Sequence, residues 1–148
     1  MLPGWRCVTG TRTGYVRVST RDQHPEARSP KGRGPTRLRT SGAAELPVNW
    51  KARSAGSDSV TTPEELLAAA HASCFAMALS HSLEDAGYTP DTLEVTVTVS
   101  FQPGDGVLGS DILLRASVPE LLPETFATVA EDAKANCPIS QAFRVPIS

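Results

Sequence analysis

Cysteine is scarce in this chain, which has only Cys7, Cys74 and Cys137 among its 148 residues. Three cysteines are too few for the disulfide framework of a small secreted domain. They form no CxxC pair and have no zinc-like spacing to any of the three histidines. One disulfide with one leftover thiol is compatible with this pattern, and in a cytosolic protein such a disulfide is more often catalytic or redox-linked than structural.

Long apolar runs are also missing. No run of 18 or more apolar residues is present, so we expect no transmembrane helix and no membrane partner. The first 30 residues lack the apolar core of a signal peptide. These two absences predict a cytoplasmic protein.

The net charge of −2 conceals a strong asymmetry between the two ends of the chain. Residues 1–54 have a net charge of +8, whereas residues 55–148 have a net charge of −10. Residues 1–40 are basic and rich in Pro and Gly, apart from a short predicted strand at 13–20. Few aromatic side chains are available there to stack on bases. We therefore interpret residues 1–40 as a solvated, mobile arm rather than a nucleic-acid-binding segment, and Cys7 within it as non-catalytic.

Residues 62–87 predict the longest helix of the chain. Thr62 is a good N-cap, Pro63 suits the first helical position, and an acidic residue three positions after the cap completes a capping box. Gly87 supplies the C-terminal stop. Small or apolar side chains fill nearly every intervening position, so most of the helix circumference can be buried. Cys74 lies in the middle of this apolar helix.

Periodicity predicts the elements that follow. Strict alternation of apolar and polar side chains predicts a half-buried strand at 92–101, and a second strand at 111–118 is close enough to form a hairpin with it. An apolar stripe predicts a helix at 123–136. Pro138 can start a new short helix, which places Cys137 at an N-cap-like position where unpaired amides favour a thiolate.

A cysteine in the middle of a helix is usually an inert core residue, because burial raises the pKa of its thiol. Reactivity of Cys74 would need a nearby cation. A predicted extended segment at 46–50 and the loop after it deliver Arg53 to the start of the long helix, and Glu64 could hold this arginine in a bidentate pair. His71 shares a helix face with Cys74, but we interpret it as a packed residue rather than a ligand or base.

The segments PEELLAAAHASCFAMALS (63–80) and NCPIS (136–140) resemble the osmotically inducible protein C family, which includes the organic hydroperoxide resistance proteins. The resemblance covers residues 41–144. Its specific features are the PEEL start, a cysteine ten residues after the first Glu, and a second cysteine followed by Pro-Ile-Ser. The AAHASC version of the motif is more similar to the osmotically inducible branch than to the organic hydroperoxide branch.

The resemblance implies a two-cysteine, thiol-dependent peroxidase that acts in oxidative and osmotic stress defence without a metal or bound cofactor. Cys74 matches the family's peroxidatic position, Cys137 the resolving position, Glu64 the acidic partner, and Arg53 best matches the arginine. Cys74 would become a sulfenic acid and condense with Cys137, and a dithiol, of the lipoyl type in this family, would reduce the disulfide. An apolar pocket would favour organic hydroperoxides over hydrogen peroxide.

The same resemblance implies an α+β, OsmC-like fold in which antiparallel sheets wrap around long central helices in an intertwined homodimer. The family domain would span residues 41–148, after the arm at 1–40. Family sites lie at the subunit interface, and burial against a partner would account for a long, almost wholly apolar helix in a short chain. Nucleic acid is not an expected partner.

Two alternatives remain open at this point. The chain could be a redox sensor or nucleic-acid-binding protein on the same fold that uses its basic arm without catalysis. It could also be a damaged family member that keeps the motifs but folds poorly.

Ser140, two residues after Pro138, is expected to cap the short helix and so to have a structural role.

Overall fold

The computed structural model describes residues 33–39, 41–57 and 59–148, and the chain divides into two compact units, Met1–Thr62 and Pro63–Ser148. Within the described ranges the fold is α+β, with two antiparallel two-stranded sheets and four helices. The strand predicted at 13–20, Cys7 and most of the predicted arm lie outside the described residues.

The first unit contains a β-hairpin formed by β1 (Arg33–Arg37) and β2 (Glu45–Asn49). The sequence interpretation assigned β1 to a loop because of its Gly, Pro and Arg content, and that assignment is wrong for these five residues. Pro35 lies opposite Pro47 in the register. Neither proline has an N–H to donate, so a facing pair at a non-hydrogen-bonded position costs the ladder no hydrogen bond.

The helix α1 (Trp50–Ala55) begins directly after β2. Asn49 is its N-cap, because its Oδ1 accepts a hydrogen bond of 2.7 Å from the backbone N–H of Ala52. Gly56 ends the helix with a φ of 77°, in the region that favours glycine. The prediction that the chain runs extended before this point is confirmed up to Asn49.

The second unit is built on α2 (Pro63–Asp85), whose bounds confirm the predicted long helix. It ends as expected at Gly87, which has a φ of 86° and is followed by a hydrogen bond of 2.9 Å from the Tyr88 N–H to the Leu83 carbonyl. By length and composition alone α2 would also pass as a membrane span, but apolar core helices of soluble proteins pass the same test.

Only one stripe of α2 is buried within the described chain, and its central residues are spaced four apart: His71, Phe75, Leu79 and Leu83. Met77, on another face, is 52% exposed. The sequence predicted that most of the circumference can be buried. Burial of the remaining face against a partner subunit stays a prediction.

The strands β3 (Thr92–Gln102) and β4 (Gly106–Ser117) form the predicted hairpin. Side chains on β3 alternate between half-buried and exposed, as the sequence pattern indicated. The strand β4 starts at Gly106 rather than at residue 111, because Gly104 and Gly106 adopt φ values of 98° and 90° and close a tight turn. Residues that the sequence assigned to a long turn therefore extend the ladder.

Two helices complete the second unit, namely α3 (Pro123–Asn136) and α4 (Pro138–Ala142). Both were predicted, and each begins with a proline at its first position. After α4 the chain returns to β4, where Ile147 forms an isolated parallel bridge with Ser110.

A compact apolar cluster lies between α2, α3 and the inner face of the β3–β4 hairpin. Its centre consists of five buried residues: Phe75, Leu79, Leu83, Ala133 and Cys137. Half-buried strand residues such as Val95 and Ile112 cover this centre from the hairpin side. Cys137 is therefore part of the hydrophobic core, and the stability of the core and the position of this thiol depend on the same contacts.

Replacement of Leu79 by alanine tests the importance of this cluster. Leu79 is 0% exposed, so Leu79→Ala removes buried methyl groups and leaves a cavity, which should cost about 2–5 kcal/mol in the free energy of unfolding. Leu122, which is 65% exposed, provides the control, and Leu122→Ala should change the free energy by less than about 0.5 kcal/mol. Urea unfolding measures both, and equal effects would contradict the assigned core.

Candidate functional site

The first thiol of the site is on α2. Cys74 follows His71 by three residues and precedes Phe75 of the buried stripe, so it lies at the edge of the apolar cluster. Its side chain is only partly buried. Cys74 is therefore the more exposed of the two cysteines that the structure describes.

The second thiol occupies the junction between α3 and α4. The Cys137 N–H donates to the Ala133 carbonyl at 2.9 Å and so ends α3, while its carbonyl accepts from the Gln141 N–H at 3.0 Å at the start of α4. Pro138 cannot donate a hydrogen bond and takes the first position of α4. Cys137 is thus the N-cap residue of α4, as the sequence predicted, and it is 0% exposed.

The structure brings the two thiols into contact. The Sγ atoms of Cys74 and Cys137 are 3.1 Å apart, and both cysteines are free. A disulfide bond is about 2.05 Å long, so an approach of about 1 Å would allow one to form. The helices that carry the two cysteines are packed together in one unit, and the pair needs no large rearrangement to react.

The pKa values of the two thiols are shifted in opposite directions. Burial, together with the hydrogen bond to Cys137, raises the pKa of Cys74 to about 11. Burial alone would raise the pKa of Cys137 as well. The neighbouring Cys74 thiol, the N–H groups at the start of α4 and the Ser140 hydroxyl favour the Cys137 thiolate more than burial disfavours it, and the net effect lowers the pKa of Cys137. The prediction of a thiolate-favouring position at the start of α4 agrees with this result.

A buried histidine links α2 to β4 and to α4, the helix that Cys137 caps. His71 is 0% exposed, and its Nδ1 lies 2.8 Å from Ser110 Oγ on β4 while its Nε2 lies 2.9 Å from Ser140 Oγ on α4. Its ring packs against Phe143 with centroids 5.0 Å apart. Burial lowers the pKa of His71, which favours the neutral imidazole.

The sequence predicted only part of this histidine cluster, which consists of His71, Ser110 and Ser140. Packing of His71 in the helix was expected, but neither of its serine partners was assigned to it. Ser140 was expected to act as a helix cap, whereas its hydroxyl contacts the His71 ring. The available signal was a histidine spaced four residues from Phe75 on an otherwise apolar stripe, since a buried imidazole needs two hydrogen-bond partners.

The remaining predicted site residues are Arg53 and Glu64. Arg53 is in the last turn of α1 in the first unit, with its guanidinium carbon 5.4 Å from the centroid of the Trp50 ring. Glu64 is in the first turn of α2 and is only 8% exposed. It is about 15 Å along the helix axis from Cys74, so it does not reach the thiol from its own helix. The roles of Arg53 and Glu64 stay predictions.

In the part of the chain that the structure describes, no group of three or more His, Cys, Asp and Glu side chains is arranged to hold a metal ion.

Sequence comparisons relate the chain to a known protein family. The family of OsmC-like proteins matches residues 56–148. Peroxiredoxin OsmC of Escherichia coli is 36% identical over 128 residues, which cover 84% of this chain and 89% of that protein. The protein of the same name from Shigella flexneri matches equally well.

Solved structures show the same fold. An OsmC-like protein of unknown function from Vibrio cholerae superposes with a TM-score of 0.66 at 12% identity, covering 78% of this chain and 80% of that one. An organic hydroperoxide resistance protein OsmC from Legionella pneumophila has a TM-score of 0.57 at 26% identity, with 74% and 85% covered. A putative organic hydroperoxide resistance protein from V. cholerae, with captopril bound in one of its active sites, has a TM-score of 0.59 at 26% identity, with 72% and 78% covered.

The buried His71 should make the folded state sensitive to acid. Its pKa is lowered in the fold from an ordinary value of 6.5, so below that value the unfolded chain binds more protons than the folded one. The free energy of unfolding should therefore fall as the pH drops from 6.5 towards the lower pKa of the folded state. In urea unfolding at neutral and mildly acidic pH, His71→Gln should reduce this loss. The exposed His81, replaced in His81→Gln, serves as the control, and equal pH dependence in both variants would contradict the prediction.

Proposed function

Because the chain belongs to the family of OsmC-like proteins, we propose that it is a thiol-dependent peroxidase. The proposed reaction at Cys74 and Cys137 reduces organic hydroperoxides and, to some extent, hydrogen peroxide. The observation that carries the proposal is the contact of 3.1 Å between one partly exposed thiol and one fully buried thiol. The names of the relatives, peroxiredoxin and organic hydroperoxide resistance protein, support the same reaction class.

We base the proposed roles of the two cysteines on their exposure to solvent. A peroxide can approach Cys74, which is partly exposed, but not Cys137, which is 0% exposed. Cys74 is therefore the proposed peroxidatic residue and Cys137 the resolving residue. Apolar neighbours of Cys74, among them Ala78 and Ile139 of the same cluster, favour a hydroperoxide with an organic substituent.

The proposed reaction has three steps. The Cys74 thiolate attacks one oxygen of the peroxide, the O–O bond breaks, and the leaving alkoxide takes a proton to become an alcohol. The Cys137 thiolate then attacks the sulfur of the Cys74 sulfenic acid, which forms the disulfide and releases hydroxide that is protonated to water. An external dithiol, of the lipoyl type by resemblance to the family, returns both cysteines to thiols by exchange and leaves as its own disulfide.

The first step requires activation of Cys74. With a pKa of about 11, roughly one Cys74 in 10⁴ would be a thiolate at neutral pH. We assign the activating charge to Arg53, which would lower the pKa of Cys74 and stabilise the leaving oxygen, and the orientation of that arginine to Glu64. In an intertwined homodimer, the proposed state of the protein in the cytoplasm, these residues could come from either subunit.

Substitution of each cysteine tests the proposed chemistry. After sub-stoichiometric organic hydroperoxide, peptide mass spectrometry should find a Cys74–Cys137 disulfide with Cys7 still free. Cys74→Ser should abolish peroxide consumption. Cys137→Ser should consume one equivalent and stop, because the sulfenic acid then has no resolving thiol. Cys7→Ser is the matched control and should retain full turnover; undiminished activity of Cys74→Ser would end the proposal.

The role of Arg53 is tested by the pH dependence of the first step. In Arg53→Ala the rate of Cys74 oxidation should rise about tenfold per pH unit from neutral pH up to the thiol's pKa of about 11. With the arginine in place the rate should level off at lower pH, because a larger fraction of Cys74 is already ionised. Stopped-flow mixing with organic hydroperoxide measures these rates.

Two control variants accompany this experiment. Arg53→Lys keeps a cation and should lie between the wild type and Arg53→Ala. Lys51→Ala removes an exposed cation from the same helix and should follow the wild-type profile. Coinciding pH profiles for Arg53→Ala and the wild type would remove Arg53 from the mechanism while leaving the cysteine assignments intact.

A further inference from the structure

The histidine cluster is a continuous line of buried polar groups, and its last member, Ser140, lies three residues after Cys137. It runs from Ser110 on β4 through His71 on α2 to Ser140 on α4, with contacts of 2.8 Å and 2.9 Å. Ser110 and His71 are 0% exposed and Ser140 is 7% exposed. Polar groups in such surroundings cost free energy unless their hydrogen bonds are satisfied, so each member is constrained by its neighbours.

The donors and acceptors along this line can be ordered. A neutral imidazole has one N–H donor and one bare acceptor nitrogen. If Nε2 carries the proton, it donates to Ser140 Oγ, and Nδ1 accepts from the Ser110 hydroxyl. The Ser140 hydroxyl proton is then free of the imidazole, and the thiolate of Cys137, three residues earlier at the N-cap of α4, can accept it.

We propose that His71 is a positioning residue for the resolving thiol: through Ser140 it directs a hydroxyl donor to Cys137 and stabilises the Cys137 thiolate. In the opposite tautomer the Ser140 hydroxyl would donate to Nε2 and would be lost to the sulfur. Ser110 selects the productive tautomer by occupying Nδ1 as a donor. The lowered pKa of Cys137, to which the Ser140 hydroxyl contributes, is in keeping with this arrangement.

This inference rests on the proposed peroxidase function for its significance. A stabilised Cys137 thiolate is the attacking group when the disulfide forms. It is also the leaving group when an external thiolate attacks the Cys74 sulfur of that disulfide, since a lower thiol pKa speeds departure. His71 would thus assist both steps that follow peroxide reduction, without contact with the peroxide.

The test is a direct titration of Cys137 in the absence of peroxide. In a Cys7→Ser, Cys74→Ser background Cys137 is the single thiol of the chain, and ultraviolet absorbance of its thiolate against pH gives its pKa. Absorbance is preferred to alkylation because Cys137 is 0% exposed. Since no peroxide is involved, this experiment can fail while the peroxidase proposal stands, and the reverse also holds.

Four variants in that background test whether His71 acts on Cys137 through Ser140. Ser140→Ala should lower the thiolate fraction at a fixed pH about tenfold, the effect of losing one hydrogen bond to a charged group. His71→Leu should lower the thiolate fraction of Cys137 about twofold or more, since the Ser140 hydroxyl is still present but is no longer oriented towards the sulfur by the imidazole. His71→Gln, whose amide can donate to the serine, should restore part of the difference. His71→Leu added to Ser140→Ala should have no further effect.

The matched control is Ser73→Ala, which removes a serine hydroxyl beside Cys74. That hydroxyl is exposed and donates to the Ala69 carbonyl of its own helix at 2.6 Å, so the titration of Cys137 should not change. Thermal melts establish that each variant is folded.

Two results would overturn the proposal. One is an unchanged titration in Ser140→Ala or His71→Leu. The other is an additive effect of the two substitutions, which would show that the histidine acts independently of the serine. Should His71→Leu fail to fold, Ser110→Ala takes its place: it frees Nδ1, and an unchanged Cys137 titration in that variant would equally reject the role of the imidazole.

Discussion

The site depends on the packing of the α3–α4 junction against the buried stripe of α2. This contact places Cys137 in the core beside Phe75 and sets its sulfur 3.1 Å from that of Cys74. The same interface brings Ser140 to His71. Because protein interiors are close-packed, a shift of α4 would disturb the apolar cluster, the histidine and the thiol pair together. The thiol pair is thereby part of the core rather than of a surface loop.

Most of this second unit could be predicted from the sequence, because its elements have strong local signals. Alternation defined β3, proline and glycine marked the bounds of α2, and Pro138 defined α4 with Cys137 at its N-cap. The strand β1 was missed because its glycine and proline content argues against a strand. Only its pairing with β2, where Pro35 meets Pro47, makes that composition acceptable.

The site was predicted less completely than the fold, and the reason is long-range contact. The two cysteines were paired through a family motif, whereas Ser110 and His71 are 39 residues apart and no local pattern joins them. Hydrogen bonds of this kind arise from the tertiary arrangement of β4 and α4 around α2. Conversely, the position of Cys137 at the start of α4 was a local feature, and its effect on the thiol could be anticipated from the sequence.

In this pair of thiols, the more exposed cysteine is not the one whose ionisation is favoured. The partly exposed Cys74 has the raised pKa, and the buried Cys137 has the lowered pKa. Two thiols in hydrogen-bond contact titrate as a pair: when the pair has lost one proton, the two sulfurs share the remaining proton and one negative charge. A cation brought near Cys74 would move that charge to the exposed sulfur by a short proton shift to Cys137, without taking a proton from solvent. In the proposed cycle, Cys137 must lose this proton again to attack the oxidised Cys74. Its lowered pKa favours that loss, so the two halves of the proposed cycle place opposite demands on the ionisation of one pair.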